Sequence, residues 1–154
     1  MRKCGKREEN RCYNVVMGVT TVKLSIGNPL KPAKKVEGEF LVDTGATRTT
    51  ICDKDAMRLG IDYLALEKLC EGMLGIGGTV DTYNLKDIKL IFRQESKKPH
   101  EEILEKICVL KHPQLNDHIL RIPSILGRDI LNKHSLIYDK RQEKVYITDE
   151  KTLK

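Results

Sequence analysis

No apolar run in this 154-residue chain approaches the ~20 residues that would span a bilayer. The basic opening, "MRKCGKREENRC", has no apolar stretch behind it. It does not read as a secretory signal, so the expected setting is the cytoplasm, with no membrane partner. No Cys-x-x-Cys pair occurs, and the five cysteines are odd in number and scattered at 4, 12, 52, 70 and 108. That pattern argues against a disulfide framework and fits a reducing compartment. Cys4 and Cys12 have no second ligand pair at a zinc spacing and read as free thiols. Cys52 reads as core. Aromatic residues are scarce at 5%, which argues against a surface built to stack single-stranded bases. A dinucleotide loop is also missing, because Val80 stands where the last glycine after Gly75-Ile76-Gly77 would be needed.

What remains is one domain of ordinary size with a net charge of +6. Residues 1 to 35 hold nine Lys or Arg against Glu8 and Glu9. Residues 1–13 are therefore read as a basic arm and 14–150 as the folded domain. The arm could hold nucleic acid or an acidic protein, but a solvated tail is the favoured reading.

Short strand patterns dominate. "TTVKLSIGNPL" alternates Val22, Leu24 and Ile26 with polar residues and turns at Gly27-Asn28-Pro29. "VEGEFLVD" reads as a deep strand. "CDKDAMRLG" reads as a short helix with Asp53 as N-cap and Gly60 as stop. "GMLGIGGTVDTY" is a glycine-rich turn between extended arms. "DIKLIF" alternates Ile88, Leu90 and Phe92. "RQESKKPHEE" reads as an exposed loop. "ILEKICVL" reads as strand, with a short helix as an alternative for its first half. "HILRIPSILG" is extended, since Pro123 bars a regular helix. "RDILNKH" is a short helix, and "SLIYDKRQEKVYITD" a hairpin. The class is mainly β with two or three short helices. His100, His112, His118 and His134 fall in apparent loops and helix ends and read as surface residues, not metal ligands.

One stretch carries chemistry. In "GEFLVDTGATRTTIC" an apolar run, Phe40-Leu41-Val42, ends in Asp43, followed by Thr44 and Gly45. A lone carboxylate is costly to bury. Two carboxylates sharing a proton act as base and acid at once, because held close together they cannot both ionise. One takes a proton from water while the other gives one to a carbonyl oxygen. The chain holds no second Asp-Thr-Gly or Asp-Ser-Gly. The partner is then another acid of the chain, or a second copy of Asp43 across a two-fold axis, where Thr44 could brace the paired loops. Two further stretches stand out. "GMLGIGG" places Ile76 among Gly75, Gly77 and Gly78 at a hairpin tip, the make-up of a mobile lid. "SILGRDIL" runs an apolar strand into Gly127, then opens a short helix with Arg128 and Asp129.

In this order the three stretches resemble the retropepsin-like aspartic proteases, over roughly residues 14 to 148. The resemblance implies a single-domain acid-protease fold, a closed β-sandwich or barrel with one or two short helices, working as a homodimer. It implies an aspartic endopeptidase that needs no metal or cofactor and acts on a protein or peptide. Asp43 would be the catalytic aspartate, given once by each subunit. Thr44 would make the inter-subunit grip, Gly45 would line the substrate backbone, and Ala46 would sit in the site wall. Gly75, Ile76, Gly77 and Gly78 would form the flap. Gly127, Arg128 and Asp129 would open the helix supporting the active-site loop. Ile125 would join Ile76 on the cleft walls.

Some positions depart from the viral pattern. The acid that often follows Asp-Thr-Gly-Ala by one place, and pairs with the helix arginine, is Thr47 here. Arg128 is left to pair with Asp129 or a main-chain carbonyl. The segment 93–102 is long, and no terminal dimer strands are recognisable. The basic arm and the final hairpin look more like the cellular and prokaryotic branch. A non-proteolytic peptide-binding module on the same fold is the alternative, gripping an extended peptide as an added strand. A basic nucleic-acid adaptor is a third reading, and it leaves the three stretches unexplained.

Overall fold

The computed structural model describes residues 15–16, 21–69, 73–75, 78–92, 99–142 and 144–149. Among them, β1 (Val15–Val16), β2 (Thr21–Asn28) and β3 (Lys31–Val42) come first. Next are β4 (Thr50–Ile51), helix α1 (Asp53–Leu59), a 3-10 turn (Tyr63–Ala65), β5 (Glu67–Lys68) and β6 (Met73–Gly75). Two long strands follow, β7 (Gly78–Phe92) and β8 (His100–Lys111). A second 3-10 turn (Ile119–Arg121), β9 (Ser124–Leu126), helix α2 (Arg128–Leu131), β10 (His134–Asp139) and β11 (Lys144–Asp149) complete the order.

Six strands close on themselves in the order β2, β3, β9, β4, β8, β7 and back to β2. Closure removes the open edges that an unclosed sheet would expose. The ring is mostly antiparallel, but β9 runs parallel to β3, and β4 parallel to β8. The β3–β9 pair brings residues 124–126 to the end of β3. β10 and β11 form a separate antiparallel hairpin.

The barrel fills with alternate side chains, as the two-residue period of a strand requires. Ile88, Leu90 and Phe92 are buried while Lys89 between them is exposed. Ile26, Phe40, Ile51, Leu85, Ile107 and Leu126 join them in the same core. Helix α1 adds Ala56 and Leu59. It stops where expected, at Gly60, whose φ of 64° is the left-handed conformation a side chain disfavours.

Several local expectations change. The N-cap of α1 is Cys52, and Asp53 is the first helical residue. Asp53 is buried because its carboxylate accepts from the His112 backbone N–H at 2.9 Å and contacts His112 Nδ1. The exposed segment is shorter than 93–102, since His100, Glu101 and Glu102 already belong to β8. Residues 93–98 lie outside the described residues. "ILEKICVL" is strand throughout, paired to β7 in one register that skips only Asp87 opposite Glu105. "HILRIPSILG" begins with a 3-10 turn before it extends. His112 is buried, and His100 and His134 sit in strands facing Glu102. Only His118 is as exposed as a surface reading requires. Among the described residues no helix is long and apolar enough to cross a membrane.

Candidate active site

Asp43 stands one residue beyond the end of β3, half-buried. Its backbone N–H donates to the Leu126 carbonyl at 3.1 Å, which extends the parallel β3–β9 pairing to the aspartate itself. The following residues close a turn, with the Ala46 N–H donating to the Asp43 carbonyl at 3.2 Å. Within that turn the Gly45 N–H donates to Asp43 Oδ1 at 2.8 Å, fixing the rotation of the carboxylate. A side chain at 45 would place its Cβ 3.1 Å from that oxygen. Glycine serves here through close approach, since its φ is not in the left-handed region.

A second layer holds the turn from below. The Arg128 N–H donates to the Ala46 carbonyl at 2.9 Å. Thr49 is buried, and its Oγ donates to Asp129 Oδ1 at 2.6 Å while accepting from the Gly127 N–H at 3.1 Å. The Thr49 N–H is shared between the two Asp129 oxygens at 3.0 and 2.9 Å. Asp129 also accepts from the Ile130 N–H at 2.9 Å. Gly127 must be glycine, because an added Cβ would lie 2.4 Å from the Arg48 carbonyl carbon. The close approach of 48–49 to 127 brings all these groups within reach.

Arg128 does not pair with Asp129, whose oxygens are taken by Thr49 and Ile130. Its guanidinium instead donates to Thr47 Oγ1 at 3.3 Å. The arginine thus reaches the position the viral acid would occupy and finds a neutral hydroxyl. Thr44 is exposed, Ala46 and Ile125 are half-buried.

β6 and β7 form the glycine-rich hairpin, with Gly75 directly opposite Gly78. Ile76 and Gly77, the expected tip, lie outside the described residues.

A buried polar set anchors α1 beneath this region. Ser124 Oγ donates to Asp55 Oδ2 at 2.7 Å and accepts from the Cys52 N–H at 3.0 Å. Arg58 donates to Asp55 Oδ1 at 3.0 Å. Burial pushes the Cys52 thiol up to about 12, with Asp53 and Asp55 adding to the effect. At neutral pH it is a protonated core thiol, as read from sequence.

Sequence reasoning passed over Thr49, the centre of the supporting layer. Its partners are 78 and 80 residues away, and a Thr among Thr47, Thr49 and Thr50 carries no local mark.

Closed barrel, strand-end aspartate and supporting glycine-led helix together make the fold retropepsin-like. An aspartyl protease family model matches residues 22–90, which include Asp43. The chain is similar to a retropepsin-like aspartic protease from Rickettsia conorii, with 16% identity, TM-score 0.54, 92% of this chain and 94% of that chain covered. It also matches the retroviral protease-like domain of Ddi1 from Leishmania major (14% identity, TM-score 0.48, 86% and 95% covered). A third match is the EIAV protease complexed with the inhibitor HBY-793 (20% identity, TM-score 0.45, 75% and 86% covered). No curated protein sequence matches the chain. The resemblance read from "FLVDTGA" therefore has a family match behind it, and the fold is shared over most of the chain.

Proposed function

We propose that the protein is an aspartic endopeptidase whose active site is completed by a second copy of the chain. The observation that carries this is the setting of Asp43. It is the one carboxylate of the turn, held in a fixed rotation by Gly45 and left partly open to solvent beside the exposed Thr44. A single ionised carboxylate can accept a proton but has none to give. A two-fold axis through this turn would set the two Asp43 side chains against each other and supply the missing acid. One carboxylate would take a proton from water, the water oxygen would attack the scissile carbonyl carbon, and the other carboxyl would protonate the carbonyl oxygen. As the C–N bond breaks, the first carboxyl gives the proton taken from water to the amine nitrogen, and the carbonyl hydroxyl returns its proton to the second carboxylate. The titration would belong to the pair.

In this reading Thr44 grips its counterpart across the axis, Gly45 lines the substrate backbone, Ala46 sits in the site wall, and Gly75 to Gly78 close over the substrate. Gly127, Arg128 and Asp129 hold the turn in place. Ile125 contributes to an apolar wall. Residues 14–150 are the protease domain and 1–13 an appended arm. The buried free thiols Cys52 and Cys108 and the scattered cysteine pattern suit a reducing, cytoplasmic setting.

The Thr47 hydroxyl opposite Arg128 favours one second reading, a peptide-binding module that no longer cuts. Incubating the protein with a diverse peptide mixture from acid to neutral pH separates the two. Cuts seen by mass spectrometry with the native protein and absent with Asp43→Asn support the protease. Peptide retention without cuts, from a folded dimer, supports the binding module.

A further inference from the structure

Away from Asp43, one other cluster gathers groups able to do chemistry. His100 opens β8, Glu102 follows on the same face, and His134 opens β10. Glu102 Oε1 lies 2.7 Å from His100 Nε2 and 3.0 Å from His134 Nε2. One ligand atom from each residue falls within 4.8 Å of the others. The side chains of His100, Glu102 and His134 are only 22%, 15% and 3% exposed. Phe92 packs against both imidazoles, with ring centroids at 6.0 and 6.4 Å, so the rings are held in place by the core.

We propose that His100, Glu102 and His134 form a binding site for one divalent transition-metal ion of the zinc type. Two imidazole nitrogens and a carboxylate oxygen are a donor set suited to zinc, with a fourth position open to water. Magnesium and calcium prefer oxygen ligands throughout, so they do not suit this set. Zinc held at its usual bond lengths keeps tetrahedral ligand atoms roughly 3.3–3.5 Å apart. The two Glu102 contacts therefore lengthen by about half an ångström to admit the ion. Binding needs the Nε2 lone pair of each ring, so the ring contacts to Glu102 Oε1 give way to bonds to the ion. The Lys133 Nζ, 3.5 Å from Glu102 Oε2, engages the other carboxylate oxygen and leaves Oε1 for the metal. The partly exposed edge of His100 and Glu102 gives the ion its entry.

The site ties the start of β8 to the start of β10. β10 follows α2 after Asn132 and Lys133 and begins the terminal hairpin. Metal would brace that hairpin against the barrel. It takes no part in chemistry at Asp43, so the inference stands whether or not the protein cuts peptides.

The test uses the full chain with its accessible thiols alkylated, titrated with Zn2+ and with Co2+. The expected result is one equivalent bound, a tetrahedral cobalt spectrum without a sulfur charge-transfer band, and a higher melting temperature. At metal a hundredfold above Kd the rise should be about 5–10 °C. Glu102→Gln and His100→Ala should each weaken binding at least tenfold and lose the thermal gain, while circular dichroism shows them folded. No binding, binding unchanged in both variants, or a sulfur-to-cobalt band would overturn the proposal. In those cases the cluster is a hydrogen-bonded clasp only.

Discussion

Gly127 shows at the residue scale how much one position decides. A Cβ there would sit 2.4 Å from one backbone atom and 2.6 Å from another, both in Arg48, and neither belongs to a side chain that could swing away. Gly127→Ala is expected to cost at least the ~1–3 kcal/mol of ordinary overpacking and to lower any peptidase activity further than stability alone would. Denaturant unfolding beside an activity assay checks this, and an unchanged midpoint would contradict it. Thr49→Val tests the same layer without a clash. It removes the hydroxyl that serves both Gly127 and Asp129 and leaves a buried N–H without that partner. A loss of about 1–3 kcal/mol is expected from unfolding curves. Cys52 gives a pH prediction. Its thiol is raised from 9.0 to about 12 in the folded chain, so the folded state holds its proton longer than the unfolded state. Its contribution is whole below pH 9, and stability should fall as pH climbs from there toward 12. Cys52→Ala should flatten part of that decline. Tyr63, raised chiefly by burial and next by Asp53, should preserve the rest.

At the scale of elements, legibility followed locality. The alternation Ile88, Leu90, Phe92 announced β7, because a strand with one buried face writes its period into neighbouring residues. Gly60 announced the end of α1 for an equally local reason. The terminal hairpin was legible from its two apolar arms and polar tip. What could not be read were the joins. Nothing near Asp53 reports that His112 will meet its carboxylate and displace it from the capping role. Nothing near Arg128 reports that Asp129 is already occupied by Thr49. The candidate site divides likewise. Asp43, Gly45 and Gly127 were visible as residues, while the hydrogen bonds that join Thr49 to Gly127 and Asp129 are products of the antiparallel β4–β9 pairing. The Arg128–Thr47 contact offers a test at this scale. Thr47→Asp should turn a hydrogen bond with one charged partner into an ion pair. Because both residues are exposed, the gain should stay below about 1 kcal/mol. A double-mutant cycle with Arg128→Met measures it, and zero coupling would mean that a carboxylate at 47 gains nothing over the hydroxyl.

For the whole molecule, the single barrel leaves the account half told. The turn around Asp43 is rigidly held, yet Thr44 beside it is exposed and Asp43 is only half-buried. In the proposed dimer this open side of the turn is the side that meets its copy. Two-fold pairing of identical chains would cover Thr44 and give Asp43 its acid. The most direct measurement is a mixing experiment at fixed total concentration. Native chain and Asp43→Asn chain are co-refolded in varying proportion and assayed on a peptide the native protein cuts. If the site needs an aspartate from each chain, activity falls as the square of the native fraction, to about one quarter in an equal mixture. If activity falls in simple proportion, to about one half, each chain works alone and the shared-site account is wrong.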